Sequence, residues 1–221
     1  MNQSDSLLAR IRRRLHYVRR LPPLRLLLRL ALDGVAKLGV LIEPYYLVLE
    51  LVPERRRDVV SGEDHGELVF GFLDENEVRV TASYPDRVIP EERLLQRLAE
   101  GKKCLAAKRG DTIVAFHWID LDECRIGSYH LFALRGDEAY LFDGYTVESF
   151  RGRGIAPALR TRAYSELARA GRTRCYSITA MLNPAAGAFK RKLGARPLEL
   201  GIHFSLFSRW RSHVVLRRYA I

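Results

Sequence analysis

The chain has 221 residues, 48% of them hydrophobic and 29% charged, with 37 Lys+Arg against 26 Asp+Glu and a formal net charge of +11. That composition excludes wholesale disorder and collagen-like repeats, and the length fits one domain or one domain with an appendage. The excess of base favours an anionic partner: a phosphate-rich cofactor, a nucleic acid or an acidic membrane face.

Residues 1–40 carry nine basic and two acidic side chains. Arginines interrupt every apolar stretch there, so no secretory signal is expected. Two helices are predicted about Pro22-Pro23. In the first, Leu7, Leu8, Ile11, Leu15 and Val18 share one side, and Arg10, Arg12, Arg13 and Arg14 cover much of the rest. In the second, over 24–42, Arg25, Arg29, Asp33 and Lys37 form one polar stripe with i,i+4 pairs, and the remainder is apolar. Charges in a bilayer centre cost about 2.5–3.5 kcal/mol each, which argues against a span. The expectation is a basic amphipathic helical hairpin over 1–44, buried on most of its circumference against the domain or against a second protomer in a homodimer. Peripheral contact with an anionic membrane through 1–42 is the other candidate cover. A nucleic-acid arm is disfavoured, because leucine dominates and base-stacking aromatics are sparse.

From residue 45 the texture becomes that of a mixed domain, 45–221. Strands are expected over 46–52 and 67–72, separated by a charged break at 54–58. A helix over 90–101 has Leu94, Leu95 and Leu98 as its apolar face and Gly101 as its stop. Two apolar runs, 104–109 and 112–120, flank Gly110-Asp111 as a hairpin. A long β-rich run covers 139–148, a helix 155–170, and a Ser/Thr-rich strand 175–181. A short helix over 184–193 opens on Pro184 and is followed by Gly194. The runs 198–207 and 213–221 read as an antiparallel pair. The cysteines, Cys104, Cys124 and Cys175, are widely spaced without a C-x-x-C. That pattern argues against a disulfide framework or a bound metal and suits a reducing cytoplasm.

The chemistry centres on 149–156, where the strand enters Phe150-Arg151-Gly152-Arg153-Gly154 and a helix begins at once. Glycine lets a ligand approach the backbone, and a helix start offers unpaired N–H groups with partial positive charge. Together they suit a phosphate or pyrophosphate. The loop is not a Walker motif, lacking Gly-Lys-Ser/Thr. Nor is it the dinucleotide fingerprint, since Pro157 stands at the third glycine position.

Arg151-Gly152-Arg153-Gly154-Ile155-Ala156 is similar to the [Arg/Gln]-x-x-Gly-x-[Gly/Ala] loop of the GCN5-related N-acetyltransferases (GNATs). The preceding strand ends at Val147, at that family's spacing. Asn183-Pro-Ala-Ala-Gly-Ala-Phe-Lys-Arg-Lys-Leu-Gly-Ala195 resembles its second signature. The resemblance covers about 62–221, with the core motifs in 139–195. It implies an α+β fold, a splayed and mostly antiparallel sheet of six or seven strands with helices on both faces.

It also implies an acyltransferase that moves an acyl group from acetyl-CoA or another acyl-CoA to a primary amine by direct attack. The amides of Arg151, Gly152, Arg153, Gly154, Ile155 and Ala156 would take the pyrophosphate. Val147 would bond the pantetheine through its backbone, and Asn183 would lie near the cofactor arm. The family often has a tyrosine, proposed to protonate the thiolate, seven residues after this Asn; here that position is Lys190, the catalytic candidate there, able to donate a proton or to bind a CoA phosphate.

Such a reaction needs a base for the amine proton. Asp143, a carboxylate within an apolar strand leading to the loop, is the first candidate. Tyr145 shares its face by period two and would orient the substrate or act as acid. Glu148 and His117 are further candidates. The alternative reading is a weak or inactive CoA-binding protein acting as a regulatory or assembly partner, supported by the missing tyrosine and the basic extension.

Overall fold

The computed structural model describes residues 23–53, 68–84, 89–127, 129–207 and 209–220. The first predicted N-terminal helix and the charged break at 54–58 lie outside them. The elements in chain order are α1 (Pro23–Lys37), β1 (Val40–Leu51), β2 (Leu68–Phe72), α2 (Glu75–Ala82), α3 (Glu91–Ala99), β3 (Lys103–Arg109), β4 (Thr112–Asp120), β5 (Glu123–Ile126), β6 (Tyr129–Ala133), β7 (Glu138–Thr146), α4 (Ile155–Arg169), β8 (Arg174–Ala180), α5 (Pro184–Lys192), β9 (Arg196–Leu206) and β10 (Trp210–Arg218).

Eight strands form one sheet in the order β10-β9-β1-β8-β7-β4-β3-β2, and β5 pairs with β6 apart from it. The sheet is therefore one strand larger than the upper expectation. β1, expected over 46–52, begins earlier, at Val40, inside the stretch expected to be helical. The boundary drawn at 44/45 falls within this strand. Its middle carries Tyr45, Leu47, Val48 and Leu49, all buried between β8 and β9. An aromatic and β-branched run of this kind suits a strand covered on both faces.

Local signals explain most boundaries. Pro23 opens α1, where a missing N–H costs nothing, and Gly39 in a left-handed conformation closes it. α2, which the pattern reading passed over, has a signature of its own. Asp74 accepts from the Glu77 amide while Glu77 reaches back to the Asp74 N–H. β4 is buried along all but its first residue, because helices cover both faces of the sheet there. On one face α4 lays Ile155, Leu159, Ala163 and Leu167 against Val114, Leu141 and Cys175. On the other, Val78 and Leu94 of α2 and α3 meet Phe116 and Trp118.

Every neighbouring pair in the large sheet is antiparallel except β7–β8. That parallel pairing lasts only from Glu138–Arg174 to Tyr140–Tyr176. Beyond it β7 stays with β4 and β8 stays with β1, so a V-shaped gap opens toward the loop before α4.

The predicted second N-terminal helix forms as α1, with the Arg29–Asp33 pair in place at 3.1 Å. Within this chain the helix is only partly covered. Leu27, Leu28 and Leu30 are exposed, because β1 is the main surface on which α1 rests.

Candidate active site

Strand β7 runs from the parallel clasp to the loop and carries the central distortion. Phe116 faces Tyr145, yet Trp118 faces Phe142, so β7 holds one residue more than β4 opposite His117. The extra residue lies at Asp143-Gly144, and Asp143 takes a left-handed φ of 47°. A bulge of this kind bends the strand and re-aims side chains. As a result Phe142 and Tyr145, three apart, both pack on the α2–α3 side, which strict alternation forbids.

Asp143 is held at this bulge by Arg97 of α3, whose Nη1 donates to its carboxylate at 2.6 Å. The same guanidinium lies over the rings of Trp118 and Phe142, at 5.1 and 5.0 Å from their centroids. Tyr145 stacks between Tyr84 and Phe116, with centroids 5.5 and 5.4 Å away. Asp143 also borders a cleft of about 470 Å³ with Arg93, Arg97, Tyr140 and Phe142 on its walls. Asp143 and Tyr145 are thus brought to one side of the sheet, as the sequence suggests.

The loop lies at the other end of the gap. Val147–Phe150 makes a tight turn, with the Phe150 amide donating to the Val147 carbonyl at 2.9 Å. Gly152 and Gly154 both take positive φ, 80° and 75°, and nothing stands within 4 Å of where a Gly152 side chain would begin. Gly154 caps α4 without a side-chain bond, and no acidic residue occupies the first turn. The segment Gly152–Ala156 therefore presents backbone at a positive helix end with room in front of it, which fits a pyrophosphate. Arg153 stacks over Phe150, its guanidinium carbon 5.5 Å from the ring centroid, and the Arg151 Nε donates to the Thr146 carbonyl at 2.9 Å. Arg151 thereby ties the loop to the end of β7.

Val147 and Asn183 both make hydrogen bonds within the chain. The Val147 amide donates to the Val114 carbonyl at 2.9 Å, so it is committed to β4. Ladder amides alternate in direction, which turns the Thr146 N–H toward the gap instead. Asn183 caps α5, its Oδ1 accepting from the Ala186 amide at 3.0 Å. Glu148 lies in the short turn after β7.

Lys190 is the largest surprise. It is buried between α5 and the sheet, its Nζ 2.6 Å from both the Glu50 carboxylate and the Ser177 hydroxyl. Glu50 also accepts from Ser177 at 2.6 Å and from the Tyr164 hydroxyl, and Arg160 Nε lies 3.7 Å away. Burial and the neighbouring Arg160 cation push the Lys190 pKa down to about 8, outweighing the pull of Glu50. Glu50 itself is lowered to about 2. Burial opposes this, but Arg160, Lys190 and the Ser177 bond prevail.

His117, also buried, lies within the field of the same group. Burial, then Arg160 and Lys190, hold its pKa well below the ordinary value, so the ring is neutral at pH 7. Among the described residues its Nε2 has no hydrogen-bond partner. The reading from sequence missed Glu50, Arg160, Ser177 and Tyr164. Only Glu50, a carboxylate in the apolar run 46–52, offered a signal.

The three cysteines form no disulfide, and all are buried. No group of metal-ligating side chains occurs among the described residues.

Comparison with known proteins bears on this arrangement. The model of the Acetyltransferase (GNAT) family matches residues 70–195. A GCN5-related glucosamine N-acetyltransferase region of a fungal multi-domain GH3 beta-N-acetylglucosaminidase shares 13% identity at a TM-score of 0.54, covering 85% of this chain and 22% of that one. A Drosophila protein shares 15% identity at 0.51, covering 79% of this chain, which spans about half of it, 55%. A functionally unknown conserved protein of Staphylococcus epidermidis shares 11% identity at 0.50, with 90% and 69% covered. Among curated proteins no match was found. At these identities the solved structures speak for the fold alone, whereas the family model spans more than half of the chain and both of its signature segments: the chain belongs to the GNAT acetyltransferase family.

Proposed function

We propose that the protein is an N-acyltransferase that moves an acyl group, acetyl in the first instance, from acyl-CoA to a primary amine. One observation carries this reading. The parallel β7–β8 clasp opens next to a glycine loop that ends in an uncapped helix start. A pyrophosphate at Gly152–Ala156 directs the pantetheine into the gap, where its amides substitute for the missing strand pairing.

Within the gap, the Thr146 N–H donates to the thioester carbonyl and polarises it for attack. The amine enters from the α3 side, through the cleft bordered by Tyr140, Phe142 and Asp143. Asp143 takes the proton that the nitrogen loses, with Arg97 fixing its orientation, and Tyr145 positions the acceptor. When the carbon–sulfur bond breaks, Lys190 supplies the proton to the departing thiolate, its pKa lowered to about 8 by burial and by Arg160. Asn183 orders the start of α5, which follows β8. No feature of the site favours the non-catalytic alternative.

The test is thiol release from acetyl-CoA and from longer acyl-CoAs over a panel of amines, with acylated products identified by mass spectrometry. The expected result is amine-dependent thiol release. Retention of CoA with no thiol release over the whole panel would overturn the catalytic reading and leave a binding protein.

A further inference from the structure

The net charge is unevenly placed. Residues 1–42 hold nine basic and two acidic side chains, and residues 196–221 hold five and one. These two segments carry the whole formal +11, and residues 43–195 are neutral with 23 of each sign. The fold brings the described part of the first, residues 23–42, to the second, because β1 lies between β8 and β9, and β9 carries β10 at the sheet edge.

Where they meet, the surface is apolar. Registered across three strands, Trp210, Leu206 and Val40 form one row, Ser212, Phe204 and Ile42 the next, and Val214, Ile202 and Pro44 a third. Residues opposite one another in a sheet share a face. At the hairpin tip Trp210 is 74% exposed and Phe207 71%, and Leu38 at the end of α1 is 73% exposed. The Phe207 amide donates to the Gly39 carbonyl at 2.7 Å, so the tip and the α1–β1 junction are one unit. On α1 itself Leu27 and Leu30 are also exposed, at 64% and 55%. Patches of this kind on a soluble chain mark an interaction surface.

We propose that the β9–β10 tip and the α1–β1 junction dock on an anionic lipid bilayer. Trp210 and Phe207 enter the headgroup boundary, and Arg29, Lys37, Arg209 and Arg211 face lipid phosphates. Charge decides among occupants. Trp and Leu beside Lys and Arg is the composition of interfacial membrane contacts. A second copy paired antiparallel along the β10 edge, centred on Val214, would set Arg211 of each strand opposite Arg217 of the other, which is repulsive. Among the described residues no helix is long and apolar enough to cross a membrane, so the contact is in-plane.

The two tryptophans make the experiment direct, since Trp118 is fully buried and Trp210 exposed. With the full-length chain, vesicles of phosphatidylcholine and phosphatidylglycerol should blue-shift the emission, and brominated lipid should quench it. Pure phosphatidylcholine should do neither. Co-sedimentation with the mixed vesicles should fall as salt rises. Arg209→Gln with Arg211→Gln should lower partitioning by about thirtyfold, as each basic residue near an anionic leaflet contributes roughly fivefold.

Phe207→Asn with Trp210→Thr should abolish co-sedimentation while leaving the thermal shift given by acetyl-CoA unchanged. Asn tolerates the left-handed backbone at 207. Absence of vesicle binding at about 0.15 M salt would overturn the proposal. So would a concentration-dependent dimer that shields Trp210 without lipid, or a single-stranded oligonucleotide that quenches Trp210 where vesicles do not. Vesicle binding that survives the Phe207/Trp210 pair and vanishes on deletion of residues 1–22 would assign the contact to the N-terminal arm instead.

Discussion

Glu50 is a carboxylate with 1% exposure, held by Lys190, Ser177, Tyr164 and Arg160. Its pKa of about 2 lies below the free value of 4.5, so the native state binds its proton less readily than the unfolded chain. The stabilisation is therefore present in full above pH 4.5 and lost as pH falls toward 2, and it amounts to about 3 kcal/mol. Glu50→Gln leaves two buried cations without a counter-charge, which costs about 3–5 kcal/mol at pH 7. Urea midpoints at a series of pH values should show this deficit, and the gap between variant and wild type should narrow below pH 4.5. A gap independent of pH would mean that Glu50 acts by shape alone. The glycine loop gives a second test at this scale. Gly154→Asp places a carboxylate at the pyrophosphate and should weaken CoA binding by at least about tenfold, or about 1.4 kcal/mol. Gly154→Ala shares the backbone strain without the charge and should lose less, so calorimetry on the pair separates the two effects.

The β7 bulge is the element on which the proposed chemistry turns. It directs Asp143 to Arg97, and it could not be found from hydrophobic pattern, which reads 139–148 as one regular strand. Asp143→Asn keeps a residue that accepts a left-handed φ and removes only the charge. Turnover should fall by about a hundredfold or more, with CoA affinity unchanged. Equal turnover would remove Asp143 from the base role. Strand β9 makes a separate structural prediction. A side chain at Gly201 would begin 2.8 Å from the Tyr45 ring, which is buried and has no room to withdraw. Gly201→Ala should cost about 1–3 kcal/mol in chemical denaturation.

At the scale of the whole molecule, the N-terminal strand closes the sheet. β1 bridges β8 to β9 and brings Glu50 under α4 and α5, so residues 40–51 belong to the domain's sheet. Deleting residues 1–52 should remove cooperative unfolding, whereas deleting residues 1–38 should leave a folded chain with weaker vesicle binding. Circular dichroism melts compare the two directly. If the shorter deletion also abolished the transition, α1 would be required for folding as well as for docking.

The local chemistry of the chain determined much of this. Glycines where the backbone turns left, Pro23 and Pro184 at helix starts, and the Gly110-Asp111 hairpin follow from conformational rules that act within a few residues. They placed the loop at 151–156, α3 to α5 and the final hairpin. The capping box at Asp74–Glu77 was equally local and was passed over. What depended on contacts between distant segments was decided only by the tertiary structure. Val40–Ile42 is apolar enough for a helix or a strand, and pairing with Phe204 and Leu206 settles it as strand. Lys190 stands in sequence only at the position of the family's tyrosine; its buried ion pair exists because β1 delivers Glu50 beneath it, 140 positions away. Asp143 and Arg97 are 46 apart and meet because α3 crosses the bulge. Periodicity reports which face a residue shares with its neighbours in sequence. It carries no information on which remote charge a low-dielectric interior will demand as partner.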